Sequence, residues 1–172
     1  YPYRKMINAQ TNALIQGIEW SATYKMTPQL TWMATAEVLQ GRDTTNDREL
    51  PLMPANNATL SAQYTFASRG YLHQPYVGVG TKYAAPKDSA GAYEPFSQFD
   101  NTPFGTASTQ DYWLWHLEAG TGFKFGKQRL SVDLTVQNLM DVAYRDFLDT
   151  YKGYAQGMGR NFRLSARMPF GD

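Results

Sequence analysis

Apolar and polar residues alternate over most of this chain, which is the period of a β-strand with two different faces. The alternation recurs at residues 18–24, 30–38, 60–66, 77–83, 113–125, 130–137 and 162–170. In the clearest stretch, one parity holds Leu130, Val132, Leu134 and Val136, and the other holds Ser131, Asp133, Thr135 and Gln137. Helical periodicity is rare. The pattern therefore predicts an all-β protein of about eight strands, with Tyr1 already part of a strand.

The connections between the predicted strands alternate in length. Tight turns with Pro or Gly lie near Met26, Ala67 and Phe125, and long polar loops cover residues 40–57, 84–110 and 144–158. Outer-membrane barrels have short turns at one end and long loops at the other. Long structureless loops are uncommon in a compact soluble domain. The order of the connections therefore favours a membrane barrel.

Aromatic residues cluster at both ends of the predicted strands. Those at the short-turn ends are Trp20, Tyr24, Trp32, Tyr64, Phe66, Phe123, Phe125 and Phe170, and those at the long-loop ends are Tyr83, Trp113, Trp115 and Phe162. From Trp113 to Phe123 is about ten residues, which at ~3.3 Å per residue and ~45° tilt is close to the ~25 Å apolar band of such barrels. The two groups predict the aromatic girdles of an antiparallel transmembrane β-barrel.

Composition excludes several other classes of protein. Only 18% of the 172 residues are charged, yet the mean hydropathy is -0.51, so the polarity comes from uncharged side chains. The net charge of +1 lacks the basic footprint of a nucleic-acid binder, so no nucleic acid is expected as a partner. The chain has no cysteine for disulfides or thiolate metal sites. No apolar run reaches the length of a spanning helix, and none follows the pattern of a signal peptide.

Four stretches resemble sequence patterns of TonB-dependent outer-membrane receptors. They are NALIQGIEW from Asn12, ELPLMPANNATLSAQY from Glu49, VQNLMDVAYRDFL from Val136 and GMGRNFRLSARMPF from Gly157. The last two are specific in combination and at this spacing, whereas the first two are supportive. The resemblance covers essentially all of residues 1–172 and is to the C-terminal part of the receptor's β-barrel.

The resemblance implies a 22-stranded barrel closed around an N-terminal plug, of which this chain supplies about eight strands. The plug, the TonB box and the other strands have no counterpart in the sequence. The implied protein is a receptor in the outer membrane of a Gram-negative bacterium, and it is not an enzyme. It takes up a scarce metal chelate or cofactor. A ferric siderophore is the first expectation for the substrate, with cobalamin, haem, or copper or zinc species as alternatives.

The resemblance also implies the partners of the chain. They are the missing N-terminal strands and plug, the TonB complex acting through that plug, the barrel-assembly machinery and outer-membrane lipid. No covalently bound cofactor is expected. The candidate assembly signal is the alternating end of the chain, Phe162, Leu164, Met168 and Phe170. In the family the terminal residue is usually aromatic, whereas here Gly171 and Asp172 follow Phe170.

Candidate site residues fall into two groups, and neither is catalytic. The predicted lumen-facing wall comprises Glu19, Glu37, Lys82, His116, Glu118, Lys124, Asp133, Arg163 and Arg167. The loop candidates for ligand binding are the aromatics Tyr93, Phe96, Phe99, Phe104, Tyr151 and Tyr154. His116 and Glu118 share a face, but no second His or Cys has ligand spacing with them, so no metal site is predicted. The sequence has no Ser/His/Asp motif.

Two alternatives stay open at this stage. A self-contained eight-stranded outer-membrane barrel acting as a structural anchor would pair its first and last strands. A soluble ligand-binding β-barrel would turn its apolar parity inward. That second arrangement would bury Trp113, Leu134 and Leu164 together in its centre.

Overall fold

The computed structural model describes residues 10–50, 52–87, 108–126, 128–149, 151 and 155–169, and these form an all-β structure. Its strands are β1 (Ala13–Lys25), β2 (Leu30–Asp43), β3 (Arg48–Glu49), β4 (Asn57–Thr65), β5 (Leu72–Ala84), β6 (Tyr112–Phe125), β7 (Gln128–Gln137) and β8 (Asn161–Arg167). No helix in the described ranges is both long and apolar enough to cross a membrane.

All strands belong to one antiparallel sheet in the order β1-β2-β4-β5-β6-β7-β8, with the short β3 paired to β2 beside this path. Each strand on the path pairs with the next one along the chain, so the sheet is a meander. The connections β1–β2, β4–β5 and β6–β7 are short, and those after β2, β5 and β7 are long. The predicted placement of short and long connections at opposite ends is therefore confirmed.

Local residue chemistry explains the short turns. The Thr27 side-chain oxygen accepts the backbone N–H groups of Gln29 and Leu30, at 3.2 and 3.0 Å, and so closes the β1–β2 turn. Gly126, with φ of 61°, supplies the left-handed residue that the β6–β7 turn requires. The register of β5 with β6 shifts between His73 and Tyr76, where a bulge contains Pro75, a residue that cannot donate to the ladder.

The register aligns residues of like character across the sheet. One cross-strand row runs Trp32–Ala62–Val79–Leu117–Val136–Phe162, and it lies on the apolar face. A row on the other face, the polar face, runs Ser21–Thr35–Thr59–Lys82. Because side chains alternate between faces, the register preserves in three dimensions the two-faced character that the sequence predicts.

The apolar face is open to its surroundings. Trp113, Leu134 and Leu164 are 51%, 43% and 72% exposed, so they do not meet in a buried centre as a soluble barrel would require. Within the described part of the chain, β1 and β8 form no ladder with each other, unlike the first and last strands of a closed eight-stranded barrel. The sheet has the form of a segment of a larger barrel.

The packed core lies at the long-loop end of the sheet. Its buried apolar residues are Met53, Ala84, Tyr112 and Phe147, and Asp43, Thr109 and Asn138 are buried polar residues at the same end. The eighth strand is β3 in the loop after β2, while the strand expected at Tyr1 lies outside the described residues. At the other terminus, β8 ends at Arg167, so Met168 follows the strand. Phe170, like Tyr1, lies outside the described residues.

Candidate functional site

Asn138 organises the base of the loop between β7 and β8. It is buried and has φ of 47°, a left-handed conformation that Asn tolerates better than most residues. Its side-chain amide donates to the carbonyls of Val142 and Met158, at 2.9 and 3.1 Å, and its side-chain oxygen accepts the Val142 N–H at 2.8 Å. Because Met158 is on the returning limb, this one side chain joins the two ends of the loop.

Further contacts fix the same loop. The Asp141 carboxylate accepts the backbone N–H of Arg160 at 2.7 Å, and the Arg160 guanidinium donates to the Leu139 carbonyl at 2.8 Å. The Gly157 N–H donates to the Tyr144 carbonyl at 2.7 Å, and the Tyr144 ring fills the space that a Gly157 side chain would need. Contacts between the VQNLMDVAYRDFL and GMGRNFRLSARMPF stretches therefore hold the two ends of the loop together.

The clamped loop places a polar cluster against the polar face of the sheet. Tyr112 begins β6, and its hydroxyl donates to Asp146 at 2.9 Å. Lys82 of β5 approaches the same carboxylate, with 3.9 Å between Nζ and Oδ2. The Tyr144 ring packs on the Tyr112 ring with 4.7 Å between centroids. The Asp146 carboxylate is thus held by a phenol and an ammonium group from two neighbouring strands.

A cleft of about 300 Å³ opens beside this cluster, and we call it the upper cleft. Its polar lining residues are Glu37, Asn57, Lys82, Thr109, Tyr112 and Asp146. Asn57 donates to the Glu37 carboxylate at 3.0 Å, which holds the two side chains together. Hydrogen-bond donors and acceptors, with aromatic and apolar neighbours, give this cleft the mixture typical of a small-molecule site.

A second cleft, of about 330 Å³, lies on the other side of Lys82 and is called the side cleft. Its lining includes His116, Gln137, Tyr144 and Met158 together with Lys82. The His116 ring lies over Gly80, and Glu118 lies over Gly78 one row further along the sheet. Because neither glycine carries a side chain, both polar groups lie flat along the wall. Lys82 therefore borders both clefts.

The loop after β2 has its own anchor in Asp43. Its carboxylate accepts the hydroxyl of Thr11, the N–H groups of Thr45 and Asn46 and the side chains of Asn46 and Arg48. These hydrogen bonds, with the one from Thr11 first, hold the pKa of the Asp43 carboxyl well below its ordinary value. Arg42, the adjacent residue on the apolar parity, is charged, so this end of β2 lies beyond the apolar band.

Electrostatics in the β7–β8 loop favour a neutral phenol. Burial, followed by the nearby carboxylates of Asp146 and Asp149, raises the pKa of the Tyr144 hydroxyl above its ordinary value. Since an unperturbed tyrosine is already protonated at neutral pH, Tyr144 remains a hydrogen-bond donor there.

The predicted wall residues share the polar face but not one site. Glu37, Lys82 and His116 meet at the two clefts, and Glu19 lies directly opposite Glu37 on β1. Glu118 and Arg163 lie further along the same face, in the row that also contains Thr135. Lys124, Asp133 and Arg167 lie towards the short-turn end. Their roles in binding stay predictions.

The predicted ligand-binding loop aromatics are mostly outside the described residues. Those outside are Tyr93, Phe96, Phe99, Phe104 and Tyr154, whereas Tyr151 is 65% exposed. Of the candidate assembly signal, Phe162 and Leu164 are exposed on the apolar face of β8. Among the described residues, no group of three or more His, Asp or Glu side chains is arranged to hold a metal ion.

Four residues that line the two clefts from the loop side were not among the predicted site residues. Asn138, Tyr144, Asp146 and Phe147 all lie in the VQNLMDVAYRDFL stretch, which was used only as a family pattern. No role was predicted for Tyr112, which begins β6 and donates to Asp146. A usable signal was present, because polar and aromatic residues crowd immediately after a strand ends, where loops carry functional groups.

Comparisons with known proteins agree with this architecture. The family model "TonB dependent receptor-like, beta-barrel" matches residues 4–139, well over half of the chain. The solved structure of the copper transporter OprC matches with a TM-score of 0.69 and 20% sequence identity, over 88% of this chain and 22% of that chain. The chain thus spans about a fifth of the length of that protein. No curated protein sequence matches. On its strand order, its two-faced sheet and this family match, the chain belongs to the TonB-dependent receptor-like β-barrel family.

Proposed function

We propose that this chain is the C-terminal portion of the barrel of an outer-membrane receptor, which takes up a metal chelate with energy from the TonB complex. The observation that carries the proposal is the match of the family model to residues 4–139 of an open sheet whose apolar face is exposed. In this proposal the apolar face contacts lipid, the long loops face outward and the polar face lines the lumen. The receptor is not an enzyme.

The substrate enters through the clefts beneath the long loops. Lys82 is the cation of the upper cleft's described lining, and it can pair with an anionic, oxygen-rich chelate in competition with the Asp146 carboxylate. The Asn57 amide and the Tyr112 hydroxyl already donate to Glu37 and Asp146 and hold these carboxylates in place. A ferric siderophore remains the first candidate. The fold shared with the copper transporter OprC adds a copper species as the second candidate.

Uptake by the full-length receptor in cells tests the transport proposal. Cells lacking the receptor gene, cells expressing it and expressing cells treated with a protonophore are supplied with a ferric chelate or a copper salt, and cell-associated metal is measured by mass spectrometry. We expect receptor-dependent accumulation of the ferric chelate that the protonophore abolishes, while surface binding persists. Accumulation of copper without accumulation of the ferric chelate would make a copper species the substrate in place of the siderophore. Accumulation that continues in the presence of the protonophore would contradict energy coupling.

Lys82 offers a test of the binding cleft. Replacing Lys82 by Met removes a charged donor from both clefts and should weaken binding of an anionic chelate by about tenfold, the effect of losing one charge-assisted hydrogen bond. Lys25 lies on the polar parity at the short-turn end of β1, away from both clefts, and supplies the matched control Lys25→Met. Equal affinities in the two purified full-length variants would remove the clefts from the binding site.

A further inference from the structure

One aliphatic side chain lies on the polar face of the sheet beside the loop clefts. Leu114 has the same parity as Tyr112, His116 and Glu118 on β6, and within this described strand it is the one aliphatic residue larger than glycine on that parity. It lies directly opposite Lys82 of β5. A cation and an aliphatic side chain therefore stand next to each other on the polar face.

Leu114 lines the side cleft instead of packing under a neighbouring strand. The ladder between β6 and β7 ends at Leu117 and Val136, so β7 does not pair with β6 at Leu114. Tyr144 and Met158, which the clamped β7–β8 loop supplies, add aromatic and apolar groups to the same lining. Because Leu114 is only half-buried, the cleft keeps apolar surface that a ligand can cover.

The side cleft differs from the upper cleft in its charge. Its described lining contains Lys82 and no carboxylate, whereas Glu37 and Asp146 line the upper cleft. The contact of Lys82 with Asp146 is long, at 3.9 Å, and both side chains are partly exposed. Because an exposed ion pair of this kind contributes little, a ligand anion can take the place of Asp146 beside Lys82 at small cost.

The size of the side cleft indicates what fits there. Its volume is about 330 Å³, and a cavity of about 150 Å³ is enough to hold a benzene ring. Directly opposite residues of an antiparallel pair have Cβ atoms about 5 Å apart, so Lys82 and Leu114 can contact one ring and its substituents together. A catecholate or phenolate carries its anionic oxygen directly on such a ring, whereas citrate brings anionic oxygens without a ring.

We propose that the side cleft selects chelates whose metal-binding oxygens are attached to an aromatic ring. This inference rests on the proposed function and specifies the class of chelate. The ring lies against Leu114 and Met158, and an anionic oxygen on the ring faces Lys82. Leu114 is then a specificity-determining residue, because it contributes to the affinity for an aryl chelate and not to the affinity for an anionic chelate that lacks a ring.

Titration of the purified full-length receptor with two ferric chelates tests the inference. The probes are the ferric complex of 2,3-dihydroxybenzoate, which has aromatic rings, and ferric citrate, which has none. The variant Leu114→Asn keeps a similar side-chain volume but replaces apolar surface by an amide. We expect it to weaken binding of the aryl chelate by about tenfold, as for other losses of apolar contact in a ligand pocket, and to change the affinity for ferric citrate by less than about twofold.

Two further variants separate specificity from general damage to the receptor. Leu114→Met keeps an apolar side chain of similar volume and should retain the affinity for the aryl chelate. Met33→Gln makes a comparable apolar-to-polar change on the polar face of β2, outside the described lining of both clefts, and should leave both affinities unchanged.

The possible outcomes distinguish this inference from the proposed function. Binding of both chelates with an equal response to Leu114→Asn, or with no response, would overturn the selection of aromatic rings and leave the uptake proposal intact. Failure of the wild-type receptor to bind either ferric chelate would remove the ferric substrate and this inference with it. Because the titration needs no energy source, loss of uptake in cells would not alter its result.

Discussion

Replacing Asn138 by Ala should release the loop between β7 and β8 from the sheet. Asn138 is 5% exposed, and its three hydrogen bonds reach both Val142 and the returning limb at Met158. At about 1 kcal/mol for each hydrogen bond, their loss lowers the free energy of local opening by about 3 kcal/mol. The substitution also forces Ala into the left-handed conformation at φ of 47°, which adds about 1 kcal/mol.

The variant Asn138→Gly separates the two contributions. Glycine loses the same hydrogen bonds but adopts the left-handed conformation without strain. We therefore expect opening to become easier by about 3 kcal/mol in the Gly variant and by about 4 kcal/mol in the Ala variant. Asn161, a neighbouring Asn whose amide contacts the sulfur of Met158, supplies the control Asn161→Ala, which should change opening by less than about 0.5 kcal/mol.

Exchange of the Gly157 amide in the full-length receptor is the assay. That N–H donates to the Tyr144 carbonyl across the loop and is not touched by the substitutions. Its exchange should be about 150-fold faster in the Gly variant, and several-fold faster again in the Ala variant. If Asn138→Gly left the Gly157 amide as protected as in the wild type, the side-chain clamp would be refuted. Equal rates in the Ala and Gly variants would refute only the backbone contribution.

Three further predictions follow from the two faces of the sheet and from its long-loop end. Leu134→Arg, on the exposed apolar face, should destabilise the receptor in bilayers by about 2 to 4 kcal/mol, whereas Thr135→Arg on the polar face should have a far milder effect. The two variants are compared by their yields of folded receptor when they are transferred from urea into lipid vesicles. Equal yields would contradict the assignment of the apolar face to lipid. The pKa of the Asp43 carboxyl is lower in the folded loop than in an unfolded one. The ionised carboxylate therefore stabilises the folded loop fully at pH values above its ordinary pKa near 4, and this stabilisation is lost as the pH falls through the lower pKa of the folded loop. Amide exchange of the loop after β2 should show this loss in the wild type and not in Asp43→Asn. Tyr112→Phe removes the hydroxyl that donates to Asp146 and should weaken chelate binding about fivefold, which is near 1 kcal/mol, the contribution of one hydrogen bond to this half-exposed carboxylate. Fluorescence titration measures the affinity for the chelate. An unchanged affinity would show that this hydrogen bond does not contribute to binding.

The sequence alone determined the strands and their two faces. Residues such as Leu134 and Thr135 alternate with period two, and a one-residue shift in register would exchange the faces, so pattern and pairing had to agree. The length of the connections also followed from the sequence, because Gly126 and Thr27 close tight turns through local geometry. The resemblance carried by the VQNLMDVAYRDFL and GMGRNFRLSARMPF stretches predicted the family that the family model confirms.

Only the tertiary structure decided which residues meet beneath the loops. Tyr112, Lys82 and Asp146 are far apart in sequence, and no local rule relates a strand's first residue to a carboxylate in a distant loop. Their meeting depends on the register of β5 with β6 and on the Asn138 clamp. Arg129 and Arg167 likewise become near neighbours only when β7 pairs with β8. Periodicity fixes the face of each side chain, whereas long-range pairing fixes its neighbours.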